Sequence, residues 1–113
     1  VRELTVTLFY VDQRMMDRVA AALGEQRVAE IHRENAEKNL KGARQRLKRG
    51  RIAFDEAHTA GNAPNCISRK AETGKYDLVL MGSHGRGAIK SVMLGSVTAR
   101  VLAECRVPVL VVH

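Results

Sequence analysis

Residues 78–101 read LVLMGSHGRGAIKSVMLGSVTARV, an apolar run that ends in glycines and is followed by the start of a helix. The continuous apolar pattern of residues 76–81 (YDLVLM) predicts a strand that is buried on both faces. Apolar residues recur at helical spacing in residues 96–105, so Gly95 and Ser96 mark the start of a helix. A buried strand that leads through glycines into a helix is typical of an α/β fold.

The rest of the chain repeats this alternation of strands and helices. The remaining predicted elements are a strand at residues 4–11, a helix or ordered loop at 15–23, a long helix at 27–48, a strand at 51–57, a turn at 58–65, a short helix from Pro64 to Thr73 and a last strand at 107–112. The order β, α, β, α, β, α, β predicts parallel strands joined by right-handed helical crossovers. We therefore expect a Rossmann-like, open parallel α/β sheet with helices on both faces.

Length and composition indicate an ordinary globular protein. The chain has 113 residues, 45% of them hydrophobic and 27% charged, which suits one domain with one core. Its apolar runs are well short of the roughly 18 residues that cross a bilayer, and no signal segment is recognisable, so we expect a cytoplasmic protein with no membrane partner. Cys66 and Cys105 are too few for a disulfide framework, and we expect both to be buried and reduced.

The positive charge is concentrated in one segment. The chain carries a net charge of +7, and residues 27–51 hold nine basic and three acidic residues, a local net charge of +6. The apolar residues of this segment recur at helical spacing, which predicts an amphipathic helix with a basic outer face. Aromatic residues, on which single-stranded nucleic acids stack, make up only 4% of the chain. Nucleic acid is therefore the lowest-ranked of the partners that we consider.

The glycine-rich stretch after residue 81 has the properties of an anion site. In open α/β sheets, ligands bind beyond the carboxyl ends of the strands. Gly82 and Gly85 let the backbone approach a ligand closely, and the N–H groups at a helix start near Ser96 favour phosphate. Arg86 and Lys90 add positive charge between these features. Each feature alone also has a structural explanation, because glycines turn chains and serines cap helices.

The spacing of Gly82, Gly85, Gly95 and Ser96 follows the pattern G-x2-G-x9-G-[ST], which resembles the nucleotide motif of the universal stress protein family. The likeness continues through YDLVLMGSHGRG, LGSVTARVL and the closing VPVLVV, and extends more weakly to LTVTLFYVD near the start. The resemblance implies a parallel sheet of five strands and an ATP-binding module of the stress response. It also implies a homodimer that pairs through the last strand, residues 107–112.

The resemblance also implies a set of site residues. Met81 and Gly82 would lie against the ribose of ATP. The residues implied around the triphosphate are Gly82, His84, Gly85, Gly95, Ser96, Val97 and Thr98. ATP is the implied cofactor, with Mg²⁺ as an optional companion. The sequence contains no recognisable catalytic constellation or metal cluster. We therefore expect at most slow ATP hydrolysis or self-phosphorylation.

One feature of the family pattern is missing. Family members begin with a strand similar to ILVAVDGS, whose aspartate contacts adenine, and with the helix that follows it, whereas this chain starts at the second strand, with Val1. We therefore expect residues 1–113 to form a single universal stress protein domain that is incomplete at its N-terminus, with a gap in the middle of the sheet. Made alone, such a chain is expected to be unstable or to recruit a strand from another copy.

Two alternatives to a nucleotide-binding regulatory module stay open at this point. One is a dimerisation or interaction scaffold whose glycine loop binds nothing. The other, ranked lowest, is a protein that associates with nucleic acid through its basic helix.

Overall fold

A computed structural model of the chain describes residues 3–83 and 94–113. Its elements, in chain order, are β1 (Val6–Asp12), α1 (Asp17–Leu23), α2 (Glu25–Arg49), β2 (Phe54–Ala60), α3 (Ala63–Thr73), β3 (Val79–Gly82), α4 (Ser96–Glu104) and β4 (Val109–Val112). The predicted alternation of strands and helices is confirmed, and the segment before α2 is a short helix. The protein has an α/β fold with parallel strands.

The four strands of the described residues form two parallel pairs. Strand β1 pairs with β2, from Val6 opposite Phe54 to Asp12 opposite Ala60, and β3 pairs with β4 in a second two-stranded sheet. Among the described residues no strand joins the two sheets, so hydrogen bonding is not continuous across one open sheet. The chain divides into two compact units, Val1–Gly61 and Asn62–His113.

In the first unit, helix α2 packs on β1 and β2. Its buried residues Ala36 and Leu40 are one turn apart, so they lie on the same side of the helix. Arg44 fixes the helix to β2, because its guanidinium binds both Glu37 of the same helix and the Glu56 carboxylate, with Nε 2.6 Å from Oε2. These hydrogen bonds hold the pKa of Glu56 below its usual value.

In the second unit, helices α3 and α4 pack against each other around Ala71 and the fully buried Val101. The start of α3 is capped by Asn62, whose side-chain oxygen accepts a hydrogen bond from the Asn65 amide at 3.1 Å. Pro64 lies in the first turn of this helix, as the sequence predicts.

Strand β3 is not buried on both faces, so that part of the sequence prediction is wrong. Leu80 is 65% exposed, and its partner in the register, Leu110, is 52% exposed. Helix α4 packs against β4, and the alternate residues Val79 and Val109 are half-buried. An apolar run therefore predicted the strand correctly but not the number of its faces that are covered.

Two smaller expectations also differ from the structure. The predicted turn at residues 58–65 begins later, because β2 runs to Ala60 and the Gly61 amide then donates to the Asp12 carbonyl at 3.0 Å. Cys66 and Cys105 are partly exposed rather than buried. Over residues 3–83 and 94–113, none of the helices combines the length and the apolar character that crossing a membrane requires.

Candidate functional site

The carboxyl end of β3 is held in place by its neighbour β4. Beyond the last strand residue, Gly82, the Ser83 amide donates to the Val112 carbonyl at 2.8 Å, so the pairing continues one residue further. Ser83 is itself buried. The chain therefore leaves the sheet from a fixed position.

Two hydrogen bonds connect this strand end to the start of α4. The Gly95 amide donates to the Ser83 carbonyl at 2.8 Å, and the Thr98 hydroxyl donates to the Gly82 carbonyl, also at 2.8 Å. Thr98 is only 3% exposed. The Gly95 amide and the Thr98 hydroxyl thus position the helix, and both are already engaged within the protein.

Within the described residues, the first turn of α4 has three amides without a hydrogen-bond acceptor. Gly95 is the N-cap, with φ −62° and ψ 154°, and no side chain in the described part of the molecule caps the helix. The first amide with a partner one turn back is that of Ala99, which donates to the Gly95 carbonyl at 2.9 Å. The amides of Ser96, Val97 and Thr98 have no acceptor within the helix, and the positive end of the helix dipole lies at the same place. This arrangement is suited to binding an anion.

The structure brings together most of the site residues that the sequence predicts. Met81 and Gly82 end β3, and the residues from Gly95 to Thr98 form the start of α4, which the two hydrogen bonds hold against that strand end. Ser96 is the first residue of the helix rather than its cap. His84 and Gly85 lie outside the described residues.

Sequence reasoning missed a polar cluster at the carboxyl end of β1. Asp12 is 7% exposed, and its carboxylate accepts hydrogen bonds from Tyr10 Oη (3.0 Å) and Asn35 Nδ2 (2.8 Å) and lies 2.7 Å from His32 Nδ1. Burial alone would raise the pKa of this carboxyl group, but the bonds from Asn35, His32, Tyr10 and the Gln13 amide outweigh burial and lower it.

The sequence contains one indication of this cluster. His32 and Asn35 are three residues apart, so they lie on the same side of a helix, but nothing in the spacing connects them to an aspartate 20 residues earlier. In the described parts of the chain, no group of three or more His, Cys, Asp or Glu residues could hold a metal ion.

Parallel strands, helical crossovers and a fixed strand end beside a helix start that no described side chain caps define a Rossmann-like α/β protein. The sequence profile of the universal stress protein family matches residues 2–113. The chain belongs to the universal stress protein family.

Sequence similarity to other universal stress proteins supports this assignment. The chain is 36% identical over 72 residues to universal stress protein Slr1230 of Synechocystis, and these residues are 64% of the chain and 25% of that protein. It is 31% identical over 85 residues to universal stress protein MJ0531 of Methanocaldococcus jannaschii, covering 75% of the chain and 50% of that protein. The matched part thus spans half or less of the length of these curated relatives.

Solved structures show the same fold. The structure of MJ0577 from M. jannaschii superposes with a TM-score of 0.77 at 26% identity, covering 99% of this chain and 77% of that one. The crystal structure of a universal stress protein in complex with cAMP superposes with a TM-score of 0.53 at 25% identity, covering 94% and 96% of the two chains.

Proposed function

We propose that the chain binds ATP at the carboxyl end of β3 and serves as a nucleotide-responsive regulatory module of the stress response in the cytoplasm. The observation that carries this proposal is the uncapped start of α4. Three successive amides, those of Ser96, Val97 and Thr98, lack an acceptor within the helix. A phosphate group supplies acceptors for them and is stabilised by the helix dipole.

The surrounding contacts support the same proposal. Hydrogen bonds to the Gly82 and Ser83 carbonyls fix the helix start before any ligand arrives, which lowers the entropic cost of ordering the site. The G-x2-G-x9-G-[ST] spacing supports a nucleotide as the ligand. The cAMP complex of a family relative supports an adenine nucleotide in particular. ATP, with Mg²⁺ when the metal accompanies it, would contribute the negative charge that these amides attract.

The test is equilibrium titration of the full chain with a fluorescent ATP analogue, followed by displacement with unlabelled ATP, ADP and cAMP. We expect saturable binding and displacement by ATP. Displacement by cAMP alone would assign the site to a cyclic nucleotide and contradict ATP as the ligand. No binding at millimolar ATP would refute the proposal and favour an interaction scaffold.

A variant of Gly95 tests the position of the site. The Gly95 backbone has a conformation open to any residue, so Gly95→Val should keep the fold. Its side chain would lie beside the amides of Ser96 and Val97 and should abolish ATP binding. Ala99→Val, on an exposed position one turn further along α4, is the matched control and should bind ATP normally. Equal affinity of the two variants would place the nucleotide elsewhere.

We also propose that the protein acts as a homodimer that pairs through β4. The Pro108 and Val112 carbonyls accept hydrogen bonds from the amides of Val79 and Ser83, so the peptide groups of Val109 and Val111 point to the opposite edge of β4. In the described sheet that edge has no partner strand. A second copy of β4 would supply the missing donors and acceptors.

A further inference from the structure

We propose that the outward side of α2 binds the phosphate backbone of double-stranded nucleic acid without sequence preference. Residues 38–49 (KNLKGARQRLKR) contain six cations and no acid. Arg44 is turned towards β2, and the other five are exposed and constitute what we call the basic face. The residues of the basic face are Lys38, Lys41, Arg46, Lys48 and Arg49.

The acidic residues beside this face are already engaged by other arginines. Arg27 binds Glu30 at 3.2 Å and Glu34 at 3.4 Å, and Arg44 binds Glu37 at 2.7 Å. Within residues 3–83 and 94–113, no carboxylate lies within ion-pair distance of the basic face. Most of its charge therefore faces solvent, with the Glu56 carboxylate acting at longer range on Lys48, and a polyanion is the complementary partner.

A glycine lies in the middle of the basic face. Gly42 is four residues from both Lys38 and Arg46, so the three positions form one row along the helix. A Cβ at this position would meet no atom within 4 Å, so packing does not require glycine here. Glycine is among the poorest helix formers, and the absence of a side chain at this position leaves the surface between two cations open to a phosphate group.

The properties of α2 favour a nucleic-acid duplex over other polyanionic partners. The apolar side of the helix, with Ala36 and Leu40, is buried in the first unit and offers nothing for insertion into a membrane. The helix contains no Phe, Tyr or Trp on which single-stranded bases could stack. Residues 38–49 extend over about 16 Å at 1.5 Å per residue. This length matches about five phosphate steps of 3.4 Å along one strand.

The first experiment measures fluorescence anisotropy of a labelled 20-base-pair DNA duplex with the full chain at increasing salt. If the five cations each contact one phosphate, log K should fall against log salt with a slope of about −4.5, an affinity loss of about 500-fold between 50 and 200 mM. Two duplexes of unrelated sequence should bind equally. The cations in the last turn of α2 also stabilise the end of the helix through its dipole, but that role alone predicts no binding to the duplex.

Variants at Gly42 separate binding from folding. Gly42→Glu and Gly42→Gln both improve helix propensity and enter open space, so both should fold at least as stably as the natural chain. The Glu variant should bind duplex about tenfold more weakly than the Gln variant, because it places a carboxylate among the phosphates.

A second pair of variants tests the location of the site with equal change of charge. Lys41→Gln with Arg49→Gln should reduce the slope to about −2.7, since two phosphate contacts are lost. Arg69→Gln with Arg106→Gln removes two exposed cations from the other unit and should leave the slope unchanged.

Several outcomes would overturn the proposal. These are absence of duplex binding at 50 mM salt, equal effects of the two charge-matched double variants, and equal affinity of the Gly42 variants. Tighter binding to single strands than to the duplex, or binding to anionic vesicles without binding to the duplex, would also assign the face to another partner.

Discussion

Replacing Thr98 with valine tests whether the hydroxyl of this residue positions the start of α4. Valine has nearly the shape of threonine but cannot donate a hydrogen bond, so the Gly82 carbonyl would lose a partner that now lies at 2.8 Å. Thr98 is 3% exposed, which prevents water from replacing the lost donor. A buried polar group without its partner costs about 1–3 kcal/mol, and we expect Thr98→Val to lower the free energy of unfolding by about 2 kcal/mol.

The matched control is Thr98→Ser, which keeps the hydroxyl and removes one methyl group, at a cost of about 1 kcal/mol. Urea denaturation followed by circular dichroism measures both variants. With a slope of about 1–2 kcal/mol per molar urea, the valine variant should shift the midpoint by about 1 M or more.

The same variants give a functional measurement. If the Thr98 hydroxyl holds the amides of α4 in place for phosphate, Thr98→Val should bind the ATP analogue more weakly in urea-free buffer, where it is still folded, and Thr98→Ser should not. A valine variant that is as stable as the natural chain, paired with a serine variant that is not, would show that only the methyl group contributes. The positioning role that we assign to the hydroxyl would then be wrong.

Other parts of the structure give four further predictions. Hydrogen bonds lower the pKa of Asp12 in the folded state. The stability that they contribute is therefore present above the pKa of the unfolded chain, about 3.9, and is lost as the pH falls through the folded pKa. Measuring the free energy of unfolding at decreasing pH should show this loss in the natural chain and not in Asp12→Asn. Gly42→Ala should stabilise the protein by about 1 kcal/mol in thermal melts. Gly74→Ala should destabilise it by about 1–3 kcal/mol, because its Cβ would lie 2.8 Å from the Lys70 carbonyl oxygen. Equal changes in stability for the two alanine variants would show that the space around each glycine does not determine the effect. Val111→Pro, which removes one amide from the outer edge of β4, should reduce dimer formation in light scattering while the monomer stays folded, and an unchanged dimer would exclude pairing through that edge.

The sequence predicts best those elements whose residues interact with near neighbours. Helix α4 begins at Ser96, and α2 extends only two residues before and one residue after the predicted helix, because apolar spacing and glycine stops are local signals. The strand predicted at residues 51–57 lies three residues too early, since β2 is fixed by its register with β1 rather than by its own alternating pattern.

The site shows the same division between local and distant information. The glycine spacing indicates which end of β3 and which start of α4 come together, and the hydrogen bonds at Gly82 and Ser83 show how they are held. The Asp12 cluster depends on residues 20 and 23 positions away, and the exposure of Leu80 depends on which surfaces cover the sheet. No pattern within a short window contains either fact.

The exposed side of the β3–β4 pair has a practical consequence for handling the protein. Leu80 and Leu110 together form an apolar surface next to an edge of β4 that has no partner strand in the described sheet. Strongly hydrated salts such as sulfate strengthen the association of apolar surfaces. Attraction between the basic face of α2 and phosphate changes in the opposite direction, because added ions screen it. Ionic strength should therefore affect the two surfaces in opposite directions: concentrated sulfate should strengthen association through exposed leucines, and dilute buffer should strengthen the attraction of the basic face for polyanions.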